Sequence, residues 1–486
     1  MRKKMYTICI EGDFVKLTVK KILEICNGSL LCGNDQLVLE SFSKDTRTIQ
    51  KGDCYVGIKG ENFDGNTFWQ DAIKRGAFAC LLDSFQGKIE ENPNYTIILV
   101  EDSVKALQDL ATYVREQLDI PVIAITGSVG KTSTKDMIAA VLEEKYKVLK
   151  SPGNLNGQIG LPLNILSYKD EEAIVLEMGM NDFGQIEKLS LIAKPTIAVI
   201  TNIGTAHIGI LGSRENILKA KLEILTGMKE QTPLVINQDN DLLEKVHLKD
   251  HPIVGCSINK EAIVEATNIE VTKGKTFFEV SYNNEKEKIE LPLMGEIFVS
   301  NALLAIAVGS LLEIPLDKIK HGLEFLNTEQ NHMKFFHLKN AITLIDDSYN
   351  SNLEAVESAL KTLLKYPGKR HIAVLGDILE MEDYAKEIHQ KIGSLKEILE
   401  LDALFLQGKE VQYIKEKALE KNMNPQKIFY FEDQESLKMN LQSFLQEGDV
   451  VLVKASNGMH FHLIVDFLKE MNENIKENVR KKNDLW

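Results

Sequence analysis

The 486-residue sequence contains no uninterrupted apolar run near the roughly 20 residues needed to cross a bilayer. Its opening stretch, MRKKMYTICIEGDF, has no long apolar segment before the first acidic residues, which argues against a secretory leader and predicts a cytoplasmic protein with no membrane insertion. Cysteine is scarce. The six, at positions 9, 26, 32, 54, 80 and 256, include no CxxC pair and no histidine-rich neighbourhood, so reduced, structural thiols are expected and neither a disulfide framework nor a zinc site is. Positive charge is in deficit: 57 Lys and Arg face 71 Asp and Glu, a formal net charge of −14. A general nucleic-acid binder needs a broad basic face, and this balance supplies none. A small anionic ligand needs only a local site and stays open. Tandem repeats and low-complexity tracts are also missing.

What is present describes an ordinary globular chain, 44% hydrophobic and 26% charged, long enough for two to four domains. From Leu17 to about Arg115, short β-like runs such as CYVGIKG and YTIILVE alternate with helical stretches, which predicts a small α/β domain. Asp119-Ile120-Pro121 then breaks the pattern and places a boundary near 118. The next region repeats strand and helix through VIAIT, AIVLEMG, TIAVITNIG and PLVINQD, followed by alternating segments, TFFEVSYN and KIELPL, that suit a small antiparallel addition. Beyond about 327, ITLIDDSYN, HIAVLGD, ALFLQG, IFYF and DVVLVKAS read as buried strands of another open parallel sheet. The tail from Lys469 to Trp486 is dominated by charged and amide residues and reads as a frayed helix or disordered.

The first chemical signal is ITGSVGKTST at 125–134, where an apolar strand runs into Gly127, Ser128, Val129, Gly130, Lys131, Thr132 and Ser133, and then into a helix with Met137, Ile138, Val141 and Leu142 on one face. Strand, glycine turn and helix form a phosphate cradle: backbone amides approach the phosphate, the helix N-terminus adds partial positive charge, Lys131 reaches the β/γ-phosphates and the Thr132 hydroxyl can hold Mg²⁺. Only two residues separate Gly127 from Gly130, so the spacing departs from the full GxxxxGK[ST] consensus.

Further candidates follow. Glu177 ends an apolar strand, where α/β sheets place ligands, and a carboxylate there suits a hard cation. His207 follows a second such strand, and a hydrogen-bonded structural histidine is the alternative reading. Lys221, in ENILKAKLEILTG, shares a helix face with Ile217 and Leu225, beside Ala220 and Ile224, whereas Lys219 lines up with Glu215 and Glu223 as ordinary ion pairs. An inward lysine either snorkels along the apolar stripe or serves a site. Asp346 and Asp347 end an apolar strand and could equally be two solvated carboxylates.

Taken together, TGSVGKT, SPGNLNGQIGLP, LEMGM, TNIGTAHIGILGS, ENILKAKLEI, DDSYNSN and LGDILE resemble the motifs of the muramyl ligase family, in that family's order, over about residues 40 to 465. The resemblance implies three α/β domains: a small UDP-substrate-binding domain (1–117), a central P-loop ATPase-like ligase domain (118–326) and a C-terminal Rossmann-like domain (327–486). Within the family, DDSYN, EMGM with FGQI, and DTR…KGDCYVGIKGENFDG most resemble the branch that joins D-Ala-D-Ala to UDP-N-acetylmuramoyl-tripeptide at the expense of ATP, through an acyl-phosphate. What it implies residue by residue is a catalytic set of Lys131, Glu177, His207 and Lys221. Two Mg²⁺ ions would be held by Thr132, Glu177, His207 and Lys221, the lysine as an N6-carboxylated carbamate. Nucleotide contacts would come from Gly127, Ser128, Gly130, Lys131, Thr132, Ser133, Asn301 and Asp347. Substrate contacts would come from Ser43, Asp45, Thr46, Arg47, Asn154, Asn156, Tyr349, Asn350 and Asn352. Monomer is the default oligomeric expectation.

The sequence departs from the family pattern at Phe298, where Gly295-Glu296-Ile297-Phe298 replaces a glycine–x–His–Asn stretch, at His332 and Asn457, where arginines are usual, and at Gly157 and Leu353. A guanidinium's fixed charge and bidentate geometry are not reproduced by His or Asn, so nucleotide affinity or the second substrate could differ. The rival readings are a family member with another amino-acid or peptide acceptor, a folylpolyglutamate synthase-like enzyme, and a nucleotide-binding regulatory protein.

Overall fold

A computed structural model describes residues 17–89, 94–272, 274–283, 285–327 and 333–470. Cys9, His332 and the tail beyond 470 lie outside the described residues; Lys469 and Glu470 are helical, in a stretch that begins at 462. Three main sheets of five, nine and six strands follow one another along the chain.

The first sheet has the Ser29–Cys32 strand antiparallel to Thr96–Leu99, and then Ala79–Leu82, Cys54–Val56 and Phe42–Ser43 in parallel. Its strands bury both faces: Cys54, Val56, Ala79 and Leu81 point one way, Tyr55, Cys80 and Leu82 the other, toward Trp69 and Ala72. The Ser103–Glu116 helix opens on an Asp102 cap, whose carboxylate accepts from the Val104 and Lys105 amides at 2.8 and 2.9 Å. Leu107 and Leu110 of this helix are fully buried, each burial stabilising by about 1.5–3 kcal/mol. Arg115 near its end donates to the Ala193 and Lys194 carbonyls at 2.7 and 2.9 Å, so a cation closes the C-terminus of the Gln185–Ala193 helix and ties the first unit to the second.

In the central sheet the Val122–Thr126 strand lies between Ile197–Ile200 and Ala173–Glu177, all parallel, and the chain extends outward on both sides of it. Residues alternate by face: Val122 and Ala124 pack toward the Gly160–Leu166 and Gln185–Ala193 helices, Ile123 and Ile125 toward the Lys131–Leu142 and Glu296–Leu311 helices. The chain runs from Val122–Thr126 outward to Val148–Lys150 on one side, and from Ala173–Glu177 across to Ile197–Ile200 on the other, so the carboxyl ends of these central strands form the topological switch point at which open α/β sheets bind ligands. The expected antiparallel addition exists as Val264–Thr272, Lys275–Tyr282 and Glu285–Leu291, continuous with this sheet.

All five strands expected in the third region form one sheet with parallel pairings, and an unanticipated antiparallel edge strand, Lys334–His337, precedes them. The five described cysteines are free, and burial pushes the Cys26 thiol up to about 12. Among the described residues no helix is long and apolar enough to cross a membrane.

Candidate active site

A cleft of about 1240 Å³ opens at the carboxyl ends of the central strands, walled on its far side by the third unit. Gly127 must stay side-chain-free: its φ is +153°, and a Cβ there would lie 1.9 Å from Thr201 Oγ1. Asn202 fixes the turn, accepting at Oδ1 from the Ser128 and Val129 amides at 3.0 and 2.8 Å. Those amides are therefore committed to protein. The amides left to meet an anion belong to the first turn of the Lys131–Leu142 helix, whose Lys131, Thr132 and Ser133 N–H groups precede the first intrahelical bond, Thr134 N–H to Gly130 O. Sequence reasoning quoted the motif containing Asn202 without giving it a role. An asparagine just past a buried strand at a switch point was the available signal.

Lys131 donates from Nζ to the Gly127 carbonyl at 2.8 Å, and burial lowers its pKa while the nearby Glu177 opposes that shift. Glu177 is 2% exposed at the end of its strand. Its Oε2 accepts from the Thr132 hydroxyl at 2.9 Å and its Oε1 from Asn156 Nδ2 at 2.8 Å. Asn156, expected against substrate, is thus an orienting partner of the carboxylate.

Lys221 is 2% exposed on the Arg214–Leu222 helix, as its inward register required. That helix ends before Leu225, which sits in a 3₁₀ turn at Glu223–Leu225, so the expected i+4 neighbour is supplied by a different element. Among the described residues Lys221 has no hydrogen-bond or ion-pair partner; burial, and next the cation of Lys131, push its amine well below the ordinary lysine range. The Lys219 ion pairs are not formed. Lys219 lies 5.8 Å over the Phe183 ring, and Glu223 instead caps the Gln185–Ala193 helix, accepting from the Gly184 and Glu187 amides at 2.8 and 3.2 Å.

His207 adopts a left-handed φ of +63° before the one-turn Ile208–Leu211 helix, and donates from Nδ1 to Glu380 Oε2 of the third unit at 3.1 Å. Burial lowers its pKa first, then the Lys221 cation. No three His, Cys, Asp or Glu side chains converge among the described residues. Glu177 and His207 supply a carboxylate and an imidazole to the cleft, and Lys221 would need an anionic modification to join them as a third ligand. With it, two of the three donors would be anionic oxygens, which suit a hard cation such as Mg²⁺, and the imidazole would be the softer third.

From the third unit, Asp347 follows its strand and pairs with Lys454 Nζ at 2.6 Å; that ammonium also donates to the Asn350 carbonyl at 2.9 Å. Asp347 is therefore neutralised internally, contrary to the solvated reading, and Lys454 is a residue sequence reasoning missed. Asp346 accepts from the Ser348 hydroxyl at 2.6 Å. Asn352 caps the Leu353–Lys365 helix, accepting from the Ala355 amide at 2.8 Å.

The cleft wall contains all the expected central and third-unit residues, including Ser133, Asn154, Asn301, Tyr349 and Asn350. Ser43, Asp45, Thr46 and Arg47 are not brought to it. They form a turn at the first sheet's edge, where Arg47, expected to meet a diphosphate, donates from Nη2 to Asp45 at 2.7 Å and holds that carboxyl down at about 2. Phe298 lies in the first turn of the Glu296–Leu311 helix, 7% exposed, and Asn457 is exposed; both line the cleft.

A phosphate-binding turn at a switch point, a held carboxylate and a second α/β unit closing the cleft define a nucleotide-dependent enzyme with its site between units. The Mur ligase middle domain matches residues 125–309, and the Mur ligase glutamate ligase domain residues 333–457. The chain is 34% identical to the UDP-N-acetylmuramoyl-tripeptide–D-alanyl-D-alanine ligase of Bacillus subtilis over 94% of its length and 99% of that protein's. With the Escherichia coli protein of the same name it shares 31% identity over 94% and 99%. Among solved structures, MurF from Acinetobacter baumannii matches with a TM-score of 0.83 at 28% identity, covering 94% of this chain and 99% of that one. MurF from Thermotoga maritima in complex with ADP matches at 0.77 and 29%, covering 90% and 98%. The chain belongs to the Mur ligase family.

Proposed function

We propose that this protein joins D-Ala-D-Ala to UDP-N-acetylmuramoyl-tripeptide in cell-wall precursor synthesis, using ATP and releasing ADP and phosphate. The observation that carries the reading is the convergence of Lys131, Thr132, Glu177, His207 and Lys221 on one cleft in a chain similar over nearly its whole length to ligases of that name. A carboxylate oxygen of the tripeptide attacks the γ-phosphorus and ADP leaves. The D-Ala-D-Ala amine then attacks the acyl carbon, and phosphate departs with one oxygen of the original carboxylate.

Lys131 and the first-turn amides hold and neutralise the phosphates, so the chain contributes chiefly position and charge. Two Mg²⁺ ions, when bound, would neutralise charge on the transferring phosphoryl group. Thr132 and Glu177 would hold one ion, and Glu177, His207 and a carbamylated Lys221 the other. The amine of Lys221 suits that modification, since a buried lysine of lowered pKa offers a neutral nucleophile to CO₂. We assign UDP binding to residues 1–117, with Ser43, Asp45, Thr46 and Arg47, ATP chemistry to 118–326 and cleft closure to 327–486. Asn154, Tyr349 and Asn350 face substrate. We further propose a monomer acting in the cytoplasm, where ATP is found.

The test is isotopic. With ¹⁸O in the tripeptide carboxylate, the released phosphate carries one label per amide formed; unlabelled phosphate beside amide product overturns the acyl-phosphate route.

A further inference from the structure

The segment from Thr201 to Ser213 belongs to the central unit, yet three of its positions are bonded to the third. The Thr205 amide and hydroxyl donate to Glu354 Oε2 at 3.1 and 3.0 Å, His207 Nδ1 donates to Glu380 Oε2 at 3.1 Å, and the Tyr384 hydroxyl donates to the Gly212 carbonyl. The backbones meet as closely: a Cβ on Gly209 would lie 2.7 Å from the Glu380 carbonyl oxygen. These contacts exist only while the third unit is seated on the central one.

The middle contact has a chemical consequence. An ionised carboxylate only accepts, so the proton of a neutral His207 must sit on Nδ1, and the lone pair must sit on Nε2. Among the described residues Glu380 is the one hydrogen-bond partner of this ring, and no other group specifies the tautomer. The same histidine holds a left-handed backbone that side-chain-bearing residues disfavour, which fits a residue placed for its ring. The Glu380 side chain is 63% exposed, so its role in the core is slight.

We propose that Glu380 is a positioning residue whose carboxylate, reaching across the interface, fixes His207 in the Nδ1-protonated tautomer and leaves Nε2 free to ligate. Seating of the third unit thereby completes the metal-facing imidazole, and assembly of the site becomes conditional on closure. A carboxylate behind a ligating imidazole is the general way such rings are oriented. The inference rests on His207 facing a metal.

The experiment uses the full chain labelled with ¹⁵N-histidine, the His207 signals being assigned by their loss in His207→Gln. Wild type shows the Nδ1–H pattern and Glu380→Ala shifts toward the Nε2–H form, with no metal present. In parallel, Mn²⁺ binding in the presence of ADP is followed by electron paramagnetic resonance. Glu380→Ala weakens it by about 10- to 100-fold, Glu380→Gln, whose amide oxygen still accepts, recovers part, and melting temperatures stay unchanged. An unchanged tautomer, or unchanged Mn²⁺ affinity in Glu380→Ala where His207→Ala loses it, overturns the positioning role alone. Unchanged Mn²⁺ affinity in His207→Ala overturns the metal reading beneath it.

Discussion

Replacing Lys454 with methionine keeps the apolar stem and removes the ammonium that lies 2.6 Å from Asp347 and 2.9 Å from the Asn350 carbonyl. The two side chains are 2% and 11% exposed, so the stranded carboxylate has little access to water. Taking one partner from such a pair costs about 3–5 kcal/mol, because the remaining charge stays buried without compensation. Removing both charges is different: the desolvation of each ion largely offsets their attraction, so Asp347→Asn with Lys454→Met should recover most of the loss. Three packed units do not unfold in one step, so the assay is hydrogen exchange read by mass spectrometry in peptides over the paired strands Thr343–Asp346 and Asp449–Lys454. Lys454→Met should open these strands more readily by the stated amount, and its KM for ATP should rise, since the same ammonium holds Asp347, the expected nucleotide contact. Wild-type exchange in Lys454→Met, or a double variant as labile as the single one, would refute this account of the pair.

Gly127→Ala forces a methyl toward Thr201 Oγ1 in a backbone that excludes side chains, so ADP affinity by calorimetry should fall by about tenfold or more; wild-type affinity contradicts the close approach. Lys221→Ala should lower turnover by about 100-fold or more, with part restored by a small carboxylate such as acetate if an anion at that place is what the site requires. Arg115→Met breaks three hydrogen bonds from one guanidinium, to Ala193, Lys194 and Leu118, and should destabilise the seat of the first unit by about 2–4 kcal/mol, seen as faster exchange in the Ser103–Glu116 helix. His389 is buried, with Nε2 accepting from the Ile378 amide at 3.1 Å and Nδ1 donating to the Ala385 carbonyl at 2.7 Å, and burial lowers its pKa. The unfolded chain therefore takes up the proton at higher pH: stability is full above about pH 6.5 and is lost as pH falls through the folded value. His389→Gln should flatten that slope, read as hydrogen exchange in the Ala385–Gly393 helix between about pH 8 and pH 5.

Strands whose two faces are both buried were legible because their apolar runs are continuous, and Glu177 because a carboxylate closing such a run stands out. Lys221 was legible from helix periodicity even though Leu225 belongs to a separate turn. The partners that tune the site were not, because they are far apart in the chain. Asn202 and Ser128 are 74 residues apart, Asp347 and Lys454 107, and His207 and Glu380 173. No local period links such positions; only the order of strands does. Asp45 and Arg47, two residues apart, are the reverse case, since their pairing is local and follows from spacing alone.

The central claim is that the cleft makes an amide bond at the expense of ATP, and mass spectrometry of the products tests it most directly. With UDP-N-acetylmuramoyl-tripeptide, D-Ala-D-Ala and ATP together, one UDP-linked pentapeptide should form for each ADP and phosphate released. Release of ADP at the same rate with neither peptide substrate present, and no product of the joined mass when both are supplied, would contradict it.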